Sequence, residues 1–224
     1  MERVLRWHQH QLTLGVRTLV MGVLNVTPDS FSDGGDFSSR HTAIDRALKM
    51  VDEGADIIDV GGESTRPFSE AVPAAQEMAR VLPVIEAIAG KMKIPVSIDT
   101  TKAEVARQAL AAGAAMINDI SALRADPQMG ALAAQQKVPL ILMHMQGTPR
   151  TMQAAPAYDH LVDEIKAFLA EAMARAAAAG VAREMVMVDP GIGFGKTFQQ
   201  NFALIRHLGL FLGLGAPLVM GPSR

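Results

Sequence analysis

Along this chain one unit recurs: a short run of β-branched, Leu or Met residues, a polar break, then an Ala-rich stretch with apolar positions at helical spacing. The runs Leu19–Leu24, Asp56–Val60, Pro95–Ile98, Ala115–Ile117, Leu140–Met143, Met185–Val188 and Pro217–Met220 predict seven strands. Helices are predicted at about His41–Glu53, Pro73–Ala89, Lys102–Ala112, Pro127–Gln136, Tyr158–Ala179 and Gln199–Leu208. Many are followed by the glycine that commonly closes a helix: Gly54, Gly90, Gly113, Gly180 and Gly209. Strands alternating with helices run parallel, and runs that are apolar throughout belong to a sheet covered on both faces. A doubly wound sheet and a (β/α)₈ barrel both meet that description.

The residues that end the runs favour one of the two. Asn25, Asp59, Asp99, Asn118, His144, Asp189 and finally Ser223 with Arg224 are all able to hydrogen-bond or ligate. Any one of them could cap a helix or make a turn. A ring of polar groups at the C-terminal ends of successive strands is what a TIM barrel presents, whereas a doubly wound sheet gathers its ligand at one switch point. The expected fold is therefore an α/β TIM (β/α)₈ barrel in a single domain, with only about seven βα units present. Residues 3–17 are expected to form a short N-terminal β-hairpin that closes the barrel bottom, with Gly15 near its turn or a bulge.

Composition narrows the class of function. With 224 residues, 49% of them hydrophobic and 20% charged, the chain can bury one large core and lacks the bias of a disordered segment. A net charge of -2 and the absence of like-charge blocks give no support to a nucleic-acid or membrane surface. No apolar run approaches the ~20 residues of a membrane span. There is no cysteine, which excludes disulfides, thiolate metal sites and a cysteine nucleophile and fits a reducing compartment. The N-terminus has no apolar signal-peptide core, so a cytoplasmic location is expected.

The richest segment is Gly22–Gly35, GVLNVTPDSFSDGG, where an apolar run gives way to a polar loop of the kind that closes over a ligand. With it stand DVGGESTRP (Asp59–Pro67), SIDT (Ser97–Thr100), INDIS (Ile117–Ser121), MHMQGTP (Met143–Pro149), DPGIGFGK (Asp189–Lys196) and GPSR (Gly221–Arg224). In order and spacing these segments resemble dihydropteroate synthase, and the likeness runs nearly end to end. The resemblance implies a transferase of folate biosynthesis that joins 6-hydroxymethyl-7,8-dihydropterin diphosphate to p-aminobenzoate and releases diphosphate.

What the resemblance implies for individual residues is specific. Asp99, Asn118 and Asp189, with Met143 and Gly221, match positions that bind the pterin. A carboxylate suits the 2-amino group and ring nitrogens because it accepts two parallel hydrogen bonds. Asn25 matches the ligand of a Mg²⁺ ion that accompanies the diphosphate, and Thr65 matches a second diphosphate contact. Phe31, Pro67 and Phe194 match the p-aminobenzoate slot, with Ser223 at the carboxylate and Arg66 ordering the loops. Asp99, Thr65, Arg66 and Asp189 are thus the expected catalytic positions. Sulfonamides, which imitate p-aminobenzoate, are expected to compete for the same slot. Plainer roles stay open for three of these: an N-cap for Asp99, a turn for Asp189, and a turn for Ser64–Pro67.

Other signals are weaker. Gly195–Lys196–Thr197 looks like the end of a phosphate-binding P-loop, but that motif needs Gly where this chain has Pro190. His8 and His10 read as an exposed hairpin pair, and His144 as either a mouth residue or loop support. The 14 methionines read as packing, and the Ala-rich stretch Ala167–Ala179 as a barrel helix or subunit contact. The family pattern continues past GPSR with a Lys, a helix, an eighth strand carrying Arg-x-His, and a last helix; this sequence ends at Arg224. A homodimer is the expectation for an intact member and is in doubt for this chain. Two alternatives stay open: a pterin-dependent methyltransferase feeding a corrinoid partner, which has no reason to carry NVTPDSFSDGG, and a pterin-binding chain without turnover.

Overall fold

The computed structural model describes residues 2–27, 35–64, 71–148, 150–153 and 156–222. Their order is β1 (Arg3–Trp7), β2 (His10–Leu14), β3 (Met21–Asn25), α1 (Gly35–Asp52), β4 (Ile57–Gly61), α2 (Ala74–Ala89), β5 (Val96–Asp99) and α3 (Ala103–Ala111). Then come β6 (Met116–Asp119), α4 (Met129–Gln136), β7 (Leu140–Met143), α5 (Leu161–Ala178), β8 (Val186–Asp189) and α6 (Phe198–Arg206). They fall into two compact units, Met1–Ser64 with Ala71–Asn118, and Asp119–Arg224.

In the first unit β1 and β2 form the expected hairpin, but its turn is His8–Gln9, with His8 at φ 45°. Gly15 is not at the turn; it follows β2 at φ 88°. Side-chain burial sets this register. Pairing Leu5 with Leu12 buries both, and a turn nearer Gly15 would leave Leu12 in a loop. Trp7 is also buried, and its indole Nε1 donates to the Ala115 carbonyl at 2.8 Å, which ties the hairpin to the entrance of β6. His8 is exposed at the turn and His10 lies half-buried beside Trp7.

Strands β3 to β6 pair in parallel and in chain order. β4, IIDVG, is buried at every position, as a near-continuous apolar run in a covered parallel sheet should be. Asn25 and Asp99 are the last residues of their strands, whereas Asp59 lies inside β4 rather than at its end. A polar side chain on one face does not interrupt the backbone ladder, so β4 continues to Gly61 opposite Asp99.

In the second unit β7 and β8 pair in parallel, with Met143 opposite Asp189. Ile165 and Leu169 of α5, Val188, Ile192, Leu204 of α6, Phe211 and Ala216 form one buried cluster. The predicted strand Pro217–Met220 is reduced to a single parallel bridge between Val188 and Leu218. Val188 N donates to Pro217 O at 3.0 Å and Val219 N to Val188 O at 2.8 Å. The ladder stops there because β8 gives way to Pro190, which has no N–H to continue it. Of the helix-closing glycines, Gly54, Gly113 and Gly180 are left-handed, Gly90 is right-handed, and Gly209 lies inside a 3₁₀ helix, Leu208–Leu214.

Replacing Trp7 with Phe keeps most of the buried ring but leaves the Ala115 carbonyl without its donor. Trp7→Phe is expected to lower stability by about 1–3 kcal/mol in urea unfolding followed by circular dichroism. Fluorescence cannot serve, because Trp7 is the single tryptophan.

Candidate active site

The parallel register of the first unit brings the predicted polar ends into line. Asn25 pairs with Gly61, Gly61 with Asp99, and Asp99 with Asn118. Side chains at one level of a parallel sheet share a face, so Asn25, Asp99 and Asn118 are presented together with a gap at Gly61. The gap has a measurable size. A Cβ at Gly61 would lie 3.4 Å from Asp99 Oδ2 and 3.7 Å from Asn25 Oδ1, so both oxygens border the space the glycine leaves. Asp99 and Asn118 are half-buried, open enough to meet a ligand. Asp99 is not the N-cap of α3; that position is Lys102, whose amide is held by Thr100 Oγ1 at 3.3 Å.

Two residues further down the same face lie Asp59 and Ser97, both buried. Asn118 Nδ2 donates to Asp59 Oδ2 at 2.9 Å. Burial pushes the Asp59 carboxyl pKa up, against the pull of Ser97 and Asn118. Asn118 and Asp119 part company at the end of β6. Asp119 accepts from Ser121 N at 2.8 Å, Ser121 Oγ at 2.6 Å and Leu123 N at 2.7 Å, a turn-building role that leaves Asn118 as the one of the pair beside Asp99.

The loop after β4 is braced by charges that the sequence reading did not single out. Lys102 Nζ donates to Glu63 and, at 2.6 Å, to Glu77 Oε2 on α2, a fully buried side chain. Burial works to lower the Lys102 pKa, but the two carboxylates outweigh it and the pKa is raised. Arg80 adds a bond of 2.7 Å to the Gly62 carbonyl. The chain is thereby fixed up to the residue before Ser64. The signal available in sequence was Glu77, an acidic residue on the apolar face of an amphipathic helix, a position that demands a cation.

In the second unit, the Asp189 carboxylate accepts from Gly191 N at 2.7 Å, so the expected turn over Pro190 is present. The side chain is 8% exposed, and burial raises its pKa to about 7 against the Gly191 bond and Lys196. Gly191, Gly193 and Gly195 all have positive φ. The space they clear is for backbone. A Cβ at Gly191 would sit 1.9 Å from the His144 carbonyl oxygen, and one at Gly195 3.0 Å from that of Gln146.

Lys196, set aside with the P-loop pattern, is the pin of this loop. Its Nζ donates to Gly191 O and Phe194 O, both at 2.8 Å, and is hydrogen-bonded with His144 Nδ1 at 2.9 Å. Burial brings the Lys196 pKa down to about 7. Burial, then the charges of Lys196 and Arg124, bring that of His144 down to about 3. His144 is therefore neutral, and its role is loop support. Thr197 and Gln200 form a reciprocal capping box that starts α6, which is why GKT here opens a helix without being a P-loop. Met143 belongs to a buried group with Ile120, Met145 and Met152, against which Phe194 packs. Gly221 is exposed. Phe31, Thr65, Arg66, Pro67 and Ser223 lie outside the described residues.

The model of the family described as pterin binding enzymes matches residues 21–224. Over 210 residues the chain is 53% identical to a dihydropteroate synthase of Synechocystis, covering 94% of this chain and 73% of that protein. The chain belongs to the dihydropteroate synthase family. Solved structures agree. A dihydropteroate synthase of Yersinia pestis in complex with a sulfonamide drug superposes with a TM-score of 0.89 at 43% identity, over 99% of this chain and 79% of that one. One of Xanthomonas albilineans in complex with 7,8-dihydropteroate gives 0.84 at 44% identity, over 94% and 74%. The fold class of this dihydropteroate synthase family member is accordingly the α/β TIM barrel, and identity at this level sets aside the corrinoid methyltransferase. No helix among the described residues is long and apolar enough to cross a membrane.

A neutral His144 has a pH signature. Its folded pKa lies below the ordinary 6.5, so between about 3 and 6.5 the unfolded chain binds the extra proton and acidification costs stability. His144→Gln removes that titration. Its stability penalty relative to the parent is expected to shrink by about 1–2 kcal/mol between pH 7 and pH 5 in urea unfolding. Gly191→Ala, by contrast, forces a methyl group onto the His144 carbonyl and should cost about 3 kcal/mol or more at either pH.

Proposed function

We propose that this chain condenses 6-hydroxymethyl-7,8-dihydropterin diphosphate with p-aminobenzoate to give 7,8-dihydropteroate and diphosphate, as a transferase of the pterinylmethyl group in folate biosynthesis. The observation that carries the reading is the alignment of Asn25, Gly61, Asp99 and Asn118 at one level of the sheet, in a chain 53% identical to a dihydropteroate synthase. The sulfonamide and dihydropteroate complexes of the two solved relatives support the same small-molecule partners.

In this reaction the arylamine nitrogen attacks the exocyclic methylene of the pterin, the C–N bond forms, and the C–O bond breaks with its electron pair leaving on diphosphate. The amine then loses a proton. An arylamine is uncharged near neutral pH and needs no general base to attack. The protein's task is to orient the ring and to favour the positive charge that grows on the methylene. Asp99 and Asn118 accept from the ring donors on their side, and Asp99 supplies negative charge. Asp189 has the burial and elevated pKa of a carboxyl reserved for a charge-assisted bond, and the family resemblance assigns it to the pterin as well.

Among the described residues no three His, Asp or Glu side chains converge into a metal cage. Mg²⁺ seldom needs one, since it binds through one or two protein oxygens together with phosphate oxygens and water. Asn25, whose Oδ1 borders the Gly61 gap, fits that limited role and would hold the ion, which when bound neutralises the leaving diphosphate. Thr65, Arg66, Phe31, Pro67 and Ser223 take the diphosphate and p-aminobenzoate roles by resemblance. A chain without cysteine suits the cytoplasm.

Diphosphate release should require both substrates, and release that continues at full rate without p-aminobenzoate would sink the reading. A sulfonamide should raise the apparent KM for p-aminobenzoate without changing kcat. Asp99→Ala is expected to weaken pterin binding by calorimetry about tenfold to a hundredfold, the worth of a charge-assisted hydrogen bond. Undiminished affinity would remove Asp99 from the site.

A further inference from the structure

A side-chain amide offers two different edges to a ligand, and rotation by half a turn about its last bond exchanges them. Asn118 stands beside Asp99 at the level where the ring is expected to bind, yet nothing in its own strand fixes which edge it presents. The fixing contact comes from below. Asp59 is 3% exposed, and its Oδ2 takes the Asn118 Nδ2 proton at 2.9 Å. The bond runs from the amide nitrogen to the carboxyl oxygen, and in its ionised form that group accepts and cannot donate. The edge carrying Asn118 Oδ1 then faces away from Asp59.

We propose that Asp59 is a positioning residue for the pterin: by holding Asn118 Nδ2 it keeps Asn118 Oδ1 outward, so that β5 and β6 present two acceptors side by side. Asp99 supplies one and Asn118 the other. A ring edge with two neighbouring N–H donors is complementary to that pair, and one offering an acceptor at either place is rejected. The inference rests on the pterin reading above and adds to it the residue that sets the polarity of recognition.

The geometry around Asp59 separates this role from plain packing. Asp59 Oδ1 has no partner at hydrogen-bond geometry among the described residues, the Ser97 hydroxyl opposite it included, and Ser97 Oγ is likewise unpaired. A carboxylate placed for stability alone would be surrounded by donors, as Asp119 is by Ser121 and Leu123. Among the described residues the one well-formed hydrogen bond to Asp59 is that of the Asn118 amide, with the Ser97 hydroxyl near enough to pull on its charge. Burying a charge for a single contact is costly to the fold, which is expected of a residue kept for the site.

The test is a double-mutant cycle read by calorimetric titration of the full chain with 6-hydroxymethyl-7,8-dihydropterin diphosphate. Asp59→Ala should weaken binding about tenfold in the parent chain and less than twofold in an Asn118→Ala background, because the residue it orients is then gone. An equal loss in both backgrounds overturns the proposal and makes Asp59 a structural residue. Should alanine at 59 prevent folding, an isosteric exchange serves instead. Asn118→Asp alone places two carboxylates together and should weaken binding at least tenfold. Adding Asp59→Asn supplies an amide donor from below, leaves acceptors facing the ligand, and should restore affinity to within about threefold of the parent. A double variant no better than Asn118→Asp overturns the proposal. If the unsubstituted chain fails to bind the pterin, both this inference and the functional reading fall; if it binds and the cycle is additive, only this inference does.

Discussion

Parallel register is the constraint on which the alignment of Asn25, Asp99 and Asn118 depends. In a strand, neighbouring side chains point to opposite faces, so a slip of one residue exchanges every inward group for its outward neighbour. Shifting β6 by one position would remove Asn118 from the level of Asp99 and bring Asp119 there instead. That arrangement is excluded twice over. Asp119 would lose its three donors from Ser121 and Leu123, and Asp59 would face a like charge in place of the Asn118 amide. The polar interactions at the strand ends therefore fix the register as firmly as Ile98 and Ile117 fix it through burial.

Much of this was legible in the sequence, for an identifiable reason. The β-branched runs are short, apolar throughout and separated by amphipathic Ala-rich stretches, and that pattern has few solutions in three dimensions. Six of the seven predicted strands and all six helices are present, most within a few residues of the expected bounds, while α1 begins at Gly35 instead of near His41. The seventh depended on pairing with β8, and Pro190 cuts the available ladder to the Val188–Leu218 bridge. The hairpin turn was misplaced because Gly15 is a strong local signal, whereas the burial of Leu5, Trp7 and Leu12 is a non-local one. In the site, the polar residues at strand ends were readable as a set, but their facing was not. Nothing in the pair Asn118–Asp119 says which one looks inward; the answer lies in Asp59, 59 residues earlier.

Two lysines account for most of the site features that the sequence left hidden. In sequence Lys102 reads as the start of a helix and Lys196 as part of a P-loop look-alike. Each instead reaches back to fasten a loop, and their partners differ in kind. Lys102 holds the carboxylates of Glu63 and Glu77, and that pairing raises its pKa despite burial. Its brace on the β4 loop thus stays charged across the physiological range. Lys196 holds two carbonyls and a neutral imidazole, and burial brings its pKa to about 7.

The sign of that second shift matters for the loop it pins. A lysine whose folded pKa is depressed carries its full burial cost below the folded value, and the cost is relieved as pH rises toward the ordinary 10.5. Asp189, raised to about 7, runs the opposite way: its cost appears as pH climbs from the ordinary carboxylate value of 3.8 toward 7. The two burial costs therefore run in opposite directions with pH. The backbone from Gly191 to Lys196 is held meanwhile by the Lys196 bonds to Gly191 O and Phe194 O.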